Sequence, residues 1–396
     1  MDATSKRTTI FILIMFIAIM SQLSFDNYLP SLPYLTTLFH AKAATLRLTV
    51  IIFIFGAGLS SFFFGILSDR VGRKISLLYA LFSFTIGNLI CLLAFGPVFL
   101  IIGRLLQGIG VGGCLTLNRV VLCDVTENQS ELARFGSYLS TAISVIPAIS
   151  PTIGAYIFVH LGWRANFILL FIAALFSVIL TWRILPETQA ESFEKTDSLV
   201  ADIKQIIITP VFIGFLICAG LITTAAIALM SIGPHLFQIA LHLNPIQYGY
   251  ITFFVGIAMI LGSYSNAWLI KYIGLRKTVD TGVVVIIFSS LAMLLGYLLG
   301  YINIFVILIP AMFYLFGGDF VSTNAFAGAI STLKSKAGIA TALYTSLQLL
   351  LAAVIGFIVA YLPDENQFPI SLVLFFIAII VFIIVIFFLR KNLEEK

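Results

Sequence analysis

"GILSDRVGRK", residues 65–74, sets Asp69, Arg70, Arg73 and Lys74 into one short break between two long runs of Ile, Leu and Phe. The runs on either side explain why the break matters. The chain has 396 residues, 61% hydrophobic and only 10% charged, with a mean hydropathy of +1.12. A soluble domain carries about 25% charged residues, so the solvent for most of this chain is lipid. The runs repeatedly exceed the ~18 residues that read as membrane-spanning helices. Backbone groups in lipid need internal partners, which leaves helices or a closed barrel. Barrel strands alternate polar and apolar residues; these runs are continuously apolar, so helices are expected.

Twelve membrane helices are expected, over residues 8–38, 45–67, 75–95, 98–123, 134–159, 164–185, 209–239, 246–269, 278–299, 302–327, 336–361 and 367–389. The polar stretch 186–208 is read as a cytoplasmic linker between two six-helix halves, 1–185 and 209–396. The apolar run near the N-terminus is too long for a secretory leader and has no Ala-x-Ala site after it, so it is read as an uncleaved first helix. Lys and Arg set the orientation. With both termini in the cytoplasm, seventeen of the 22 Lys and Arg residues face inward. Only Lys42, Arg47 and Arg164 face outward, while Arg104 and Arg119 lie within a helix. Basic inner loops therefore account for the net charge of +5 without nucleic acid. The halves also echo each other: "GRK" at 72–74 with "GLRK" at 274–277, "ARFG" at 133–136 with "SKAG" at 335–338, and Pro33 with Pro234, at offsets of 201–202. Secondary transporters are built on such duplication. The four cysteines, Cys91, Cys114, Cys123 and Cys218, lie in or beside apolar runs and have no metal-like spacing, so they are read as small packed side chains.

The opening stretch, G-x-L-x-D-R-x-G-R-K between the second and third helices, resembles the signature loop of the major facilitator superfamily. "GRLLQGIGVGG" at 103–113 is similar to that family's R-x-x-Q-G-x-G pattern. "NRVVLCD" at 118–124 and "SFDNYLPSLP" at 24–33 resemble its bicyclomycin- and chloramphenicol-resistance branch. The resemblance covers essentially the whole chain and is better in the first half. It implies an all-α polytopic membrane protein made of two pseudo-symmetric six-helix bundles. In that fold Asp69 abuts the start of the eleventh helix near Lys336, where unpaired N–H groups and the helix dipole stabilise a carboxylate. Gly338 would leave room for it, and Arg73 would reach Asp124. Gly65 and Gly72 omit Cβ atoms, so helices or a tight turn can approach closely. Together Gly65, Asp69, Arg70, Gly72, Arg73, Lys74 and Asp124 form a candidate cytoplasmic gate; the alternative is that the charges only mark topology. The second half keeps Gly274, Arg276 and Lys277 but has Asn266 where an acid is expected, so its loop should latch more weakly.

Ionisable groups within membrane helices are costly and mostly functional. Four lie well inside: Asp26, Arg104, Arg119 and Asp319. Asp26, in the outer half of the first helix, and Arg104, in the fourth, are expected at similar depth. Burial disfavours a charged carboxylate and a nearby guanidinium favours it. Movement of substrate or of Arg104 would then switch Asp26 between its two forms, the physical basis of proton coupling. A static Asp26–Arg104 pair that only holds helices together is the alternative. Arg119 and Asp319 are candidates to pair near the inner ends of the fourth and tenth helices; Asp319 is also read as a second proton site or a satisfied polar group beside Gly317 and Gly318. Phe25, Tyr28 and Gln107 are candidates to line a pocket for flat amphipathic molecules. "SPTIGA" at 150–155 resembles the antiporters' G-P-x-x-G-G, with the small residues Ser150 and Ala155 in place of two glycines; Pro151 and Gly154, with Pro147 one turn before, are the candidate residues, and the resemblance implies an exchanger.

No P-loop is present, so ATP is not the expected energy source. HExxH, GxSxG and Cys/His metal spacing are also absent, so neither an enzyme nor a metal or other cofactor is expected. The expected activity is proton-driven efflux of small amphipathic drugs or metabolites across the bacterial inner membrane, by a monomer. Its partners would be substrate, protons and the lipid bilayer. An importer on the same fold, and a channel or non-transporting sensor, are the alternatives.

Overall fold

The computed structural model describes residues 3–126, 128–189, 199–333 and 337–389. Among these the elements are helical, in the order α1 (Ala3–Asp26), a 3₁₀ turn (Leu29–Ser31), α2 (Leu32–Leu38), α3 (Ala43–Val71), α4 (Arg73–Leu92), α5 (Pro97–Val125), α6 (Gln129–Leu161), α7 (Trp163–Ile184), α8 (Leu199–Ile207), α9 (Pro210–His235), a π turn (Leu236–Ala240), α10 (Pro245–Leu298), α11 (Ile304–Ser331), α12 (Ala337–Ala360), α13 (Phe368–Ile384) and a second π turn (Val385–Leu389). Eleven helical stretches among the described residues are long and apolar enough to cross a membrane.

The helix starts are written in the sequence. Proline opens α5, α9 and α10, where its missing N–H leaves no bond unmade. Asparagine caps α6, α10 and α11: Asn128, Asn244 and Asn303 accept from the backbone N–H of Glu131, Gln247 and Val306 at 2.8, 2.8 and 3.0 Å. α10 is interrupted at Gly274, whose φ of 80° and ψ of 162° are not helical. It therefore divides into residues 245–273 and 275–298.

Two elements depart from the sequence reading. The first helix was expected over 8–38 without interruption, yet α1 stops at Asp26 and α2 starts at Leu32. Pro30 and Pro33 supply no N–H and disfavour helical backbone just before them, so the helix breaks around Tyr28. The linker expected over 186–208 contains α8, which buries Asp202 and Ile206 and packs on α9 and α12. Its nine residues are too few to stand out as an apolar run.

The chain divides into two compact units. The first comprises Met1–Ala41 and Leu48–Thr196. In it α4 packs along α5 and α7, and α1 against α5, α6 and α7. Leu77, Leu81, Phe84, Leu117, Phe167 and Leu170 are buried at its centre. The second comprises Lys42–Arg47 and Asp197–Lys396. There α9 packs against α11, α12 and α13, and α10 against α11 and α13, around Phe212, Ile286, Met293, Tyr314 and Leu374. In this unit Arg47 is buried; it donates to the carbonyls of Ala360 and Leu362 at 3.1 and 2.7 Å and pairs with Asp364. Large apolar side chains such as Phe63, Trp182, Phe288, Phe305 and Phe387 are exposed, as a lipid-facing surface requires and an aqueous one does not.

Candidate functional site

The break after α1 organises the polar interior of the first unit. At the end of α1 Ser24 is buried, and a helix leaves its last four carbonyls without intrahelical partners. Arg104, fully buried on α5, takes their place. Its Nη1 donates to the Ser24 carbonyl at 2.9 Å and its Nη2 to that of Phe25 at 3.4 Å. Nε donates to the Thr49 carbonyl on α3 at 3.3 Å. A cation at a helix C-terminus also matches the helix dipole. Ser150 of α6 donates to the next carbonyl back, Leu23, at 2.9 Å. The guanidinium lies over the rings of Tyr28 and Phe53, at 4.4 and 3.9 Å from their centroids, an arrangement that favours a desolvated cation.

A chain of side-chain amides continues from there. Arg104 Nη1 donates to Gln107 Oε1 at 2.9 Å, Gln107 Nε2 to Asn88 Oδ1 at 2.7 Å, and Asn88 Nδ2 to the Phe84 carbonyl at 2.8 Å. Tyr28 and Thr49 share a hydroxyl bond of 2.7 Å. One network thus ties α1, α3, α4 and α5. Tyr28 and Gln107 are fully buried in it, and Phe25 stacks edge-on against Phe53 at 4.7 Å.

Asp26 closes α1 and is half-buried. No hydrogen bond or ion pair joins it to Arg104 among the described residues; the donors of Arg104 go to carbonyls and to Gln107. Next to it Asn27 is buried, and neither atom of its amide has a hydrogen-bond partner. Its backbone carbonyl presses on α6 at Gly154, where a Cβ would lie 1.5 Å from it. Any side chain larger than hydrogen would displace the break. α6 continues through Pro147 and Pro151, and Pro151, Gly154 and Ala155 are buried.

At the opening stretch α3 remains helical as far as Val71, so Asp69 and Arg70 belong to its last turn. Gly72 then takes φ +96°, a conformation that L side chains rarely adopt, and α4 begins at Arg73. Arg73 turns back: it pairs with Asp69, donates to Ser68 Oγ at 2.7 Å, and reaches Asp124 Oδ2 at 3.2 Å. Lys74 Nζ donates to the Trp182 carbonyl at 2.8 Å. Arg70 is exposed. Gly65 is not crowded: a Cβ there would meet only Thr116, at an ordinary 3.7 Å, so close approach is the reason for Gly72 but not for Gly65. Residue 336 lies outside the described residues.

Arg119 is exposed on α5, while its neighbour Asn118 is buried with both amide atoms unpartnered. In the second unit Thr323 donates to Asp319 Oδ1 at 3.4 Å, and Asp319 Oδ2 is buried without a partner. Asn266 accepts from Asn324 at 2.7 Å, and Arg276 stands 3.9 Å from Asp280. An apolar pocket lies among α9, α10, α11 and α13, and none of the residues singled out from the sequence lines it. Among the described residues no group of three or more His, Cys, Asp or Glu is placed to hold a metal ion. Sequence reasoning missed Asn27, Asn118 and Thr49, and read Ser150 only as a small residue in place of a motif glycine, not as a donor to α1. Only the two asparagines left a signal, as amides within apolar helices; buried polar groups without partners call for a ligand, water or functional explanation.

A family model described as the Major Facilitator Superfamily matches residues 14–357. An uncharacterised MFS-type transporter of Bacillus subtilis (strain 168) is 26% identical over 380 residues, 95% of this chain and 94% of that protein. A chloramphenicol resistance protein of Pseudomonas aeruginosa is 24% identical over 356 residues, 89% of this chain and 84% of that one. Among solved structures, that of a D-xylose–proton symporter is alike with a TM-score of 0.77 at 14% identity, covering 94% of this chain and 97% of that one. At such identity the likeness shows the fold alone.

Proposed function

Since the chain belongs to the Major Facilitator Superfamily, and is thus a multi-pass membrane transporter rather than an enzyme, we propose that it exchanges protons for small amphipathic drugs or metabolites and expels them across the bacterial inner membrane. It does so as a monomer of twelve membrane helices, α10 counting as two, with both termini in the cytoplasm. It alternates between inward- and outward-open states and uses no cofactor. The observation that carries this reading is Asp26. It sits at a helix break beside a buried cation whose hydrogen bonds go to carbonyls and to Gln107, not to the acid. A carboxyl that no ion pair fixes can take up and give off a proton as its surroundings change. Each proton entering down the membrane potential supplies ~2.3 kcal/mol per 100 mV, enough to hold a neutral molecule at a gradient of roughly 50-fold.

Asp319, with one buried oxygen unpartnered, is the second candidate proton site, and Arg119 its candidate partner in the cycle. Phe25, Tyr28 and Gln107 border the substrate's path. Pro147, Pro151 and Gly154 serve exchange, and the Asp69–Arg73–Asp124 cluster gates the cytoplasmic side. Export is preferred to import because of the similarity to a chloramphenicol resistance protein and the α6 motif. The test is growth of an expressing, pump-deficient strain against a chemical panel, followed by flux in proteoliposomes under an imposed pH gradient. Export driven by inward protons is expected. Uptake alongside protons would assign an importer, and flux indifferent to the gradient a channel.

A further inference from the structure

The 65–74 break is fastened by a residue far from it in sequence. Glu187, just beyond α7, turns its carboxylate to the start of α4. Its Oε1 accepts from Arg73 N at 2.7 Å and its Oε2 from Lys74 N at 3.3 Å. Oε1 also accepts from Thr188 N and Gln189 N, at 3.0 and 3.2 Å. The same segment is tied down at two more points. Thr188 Oγ1 donates to Asp124 Oδ2 at 3.2 Å, and Gln189 Nε2 to the Asp69 carbonyl at 2.8 Å. Residues 187–189 therefore touch each of Asp69, Arg73 and Asp124.

The physical need is plain. The first N–H groups of α4 have no partner inside the helix, and its cap residue, Gly72, has no side chain to offer one. A carboxylate at that end also meets the positive pole of the helix dipole. A Cβ on Gly72 would come within 2.3 Å of Glu187 Oε2, so the glycine leaves space for the acid as well as adopting the turn.

We propose that Glu187 is a positioning residue: by closing the head of α4 it fixes Arg73 between Asp69 and Asp124, and so sets the geometry of the gate. The proposal rests on reading that cluster as a gate. It makes the start of the linker a working part of the gate and not a passive tether.

The test compares wild type, E187A, E187Q, E187D and D69N in the full-length chain reconstituted in lipid. One readout is hydrogen exchange of the Arg73 and Lys74 amides; the other is proton-driven flux of chloramphenicol as the probe. Losing a cap exposes these amides, so exchange should quicken ~5-fold or more in E187A, less in E187Q, and least in E187D, which keeps the charge. Maximal flux should fall several-fold in E187A with KM unchanged, and E187D should recover most of it; a merely stabilising role would leave flux per folded molecule as in wild type. Wild-type exchange in E187A overturns the proposal. So does wild-type flux in E187A when D69N is impaired, and in that case the gate reading stands. Wild-type flux in both variants removes the gate reading itself. If wild type moves no chloramphenicol, the drug reading fails, and the order of exchange rates decides whether Glu187 holds the helix.

Discussion

Arg104 is the residue on which the first unit's interior turns, and its partners are carbonyls. Ser24, Phe25 and Thr49 each present one to it. Arg104→Met would leave the Ser24 and Phe25 oxygens, at the open end of α1, without a donor, at ~1–3 kcal/mol for each group that stays unpaired. The expected outcome is a clear fall in thermal unfolding temperature in detergent. Arg104→Lys should recover only part of it, because an ammonium cannot span three acceptors as a planar fork does. An unfolding temperature unchanged in Arg104→Met would show that the carbonyls find other donors. Both Asp26 and Arg104 stood out in the sequence, since a charge within an apolar helix is conspicuous. What Arg104 binds did not, because a backbone carbonyl has no letter of its own. Glu187 was hidden for the opposite reason: an acid in a polar stretch looks like an ordinary solvated side chain.

At the scale of elements, the proline pair Pro30 and Pro33 was visible but read as part of one long helix, and the break it causes is what exposes the carbonyls that Arg104 serves. α8 was invisible because nine residues of mixed polarity give no membrane-length run. Most other boundaries were legible to within a few residues from the apolar runs alone, but the Asn128 cap was not read, and α6, expected from 134, starts at Gln129. Contact between α1 and α6 gives a sharp prediction. Gly154→Ala places a methyl 1.5 Å from the Asn27 carbonyl, so it should abolish transport or expression. Gly136→Ala, on the same helix with nothing within 4 Å, should be neutral or stabilise by up to ~1 kcal/mol through helix propensity. Comparing flux per folded molecule in the two checks this. Equal activity would mean that the α1 break is not held where it is described.

For the whole molecule, one of the echoes read between the halves has a counterpart in the backbone. Gly72 and Gly274, at an offset of 202, both adopt positive φ, of 96° and 80°. The contents of the two breaks differ: Arg73 answers two acids in the first, whereas Arg276 has Asp280 at 3.9 Å in the second. Asp69→Asn should therefore leave membrane insertion intact and lower transport, while Asp280→Asn should lower it less; quantified membrane abundance and flux for both variants test this. Substrate identity was not legible, since aromatic and aliphatic side chains serve lipid contact and substrate contact alike. The central claim is that Asp26 carries the coupled proton, and the direct measurement is solute flux in proteoliposomes with and without a pH gradient, for wild type and Asp26→Asn. The account predicts that the variant still equilibrates solute down its own gradient but no longer accumulates it when protons are supplied; accumulation by Asp26→Asn at the wild-type level would contradict it.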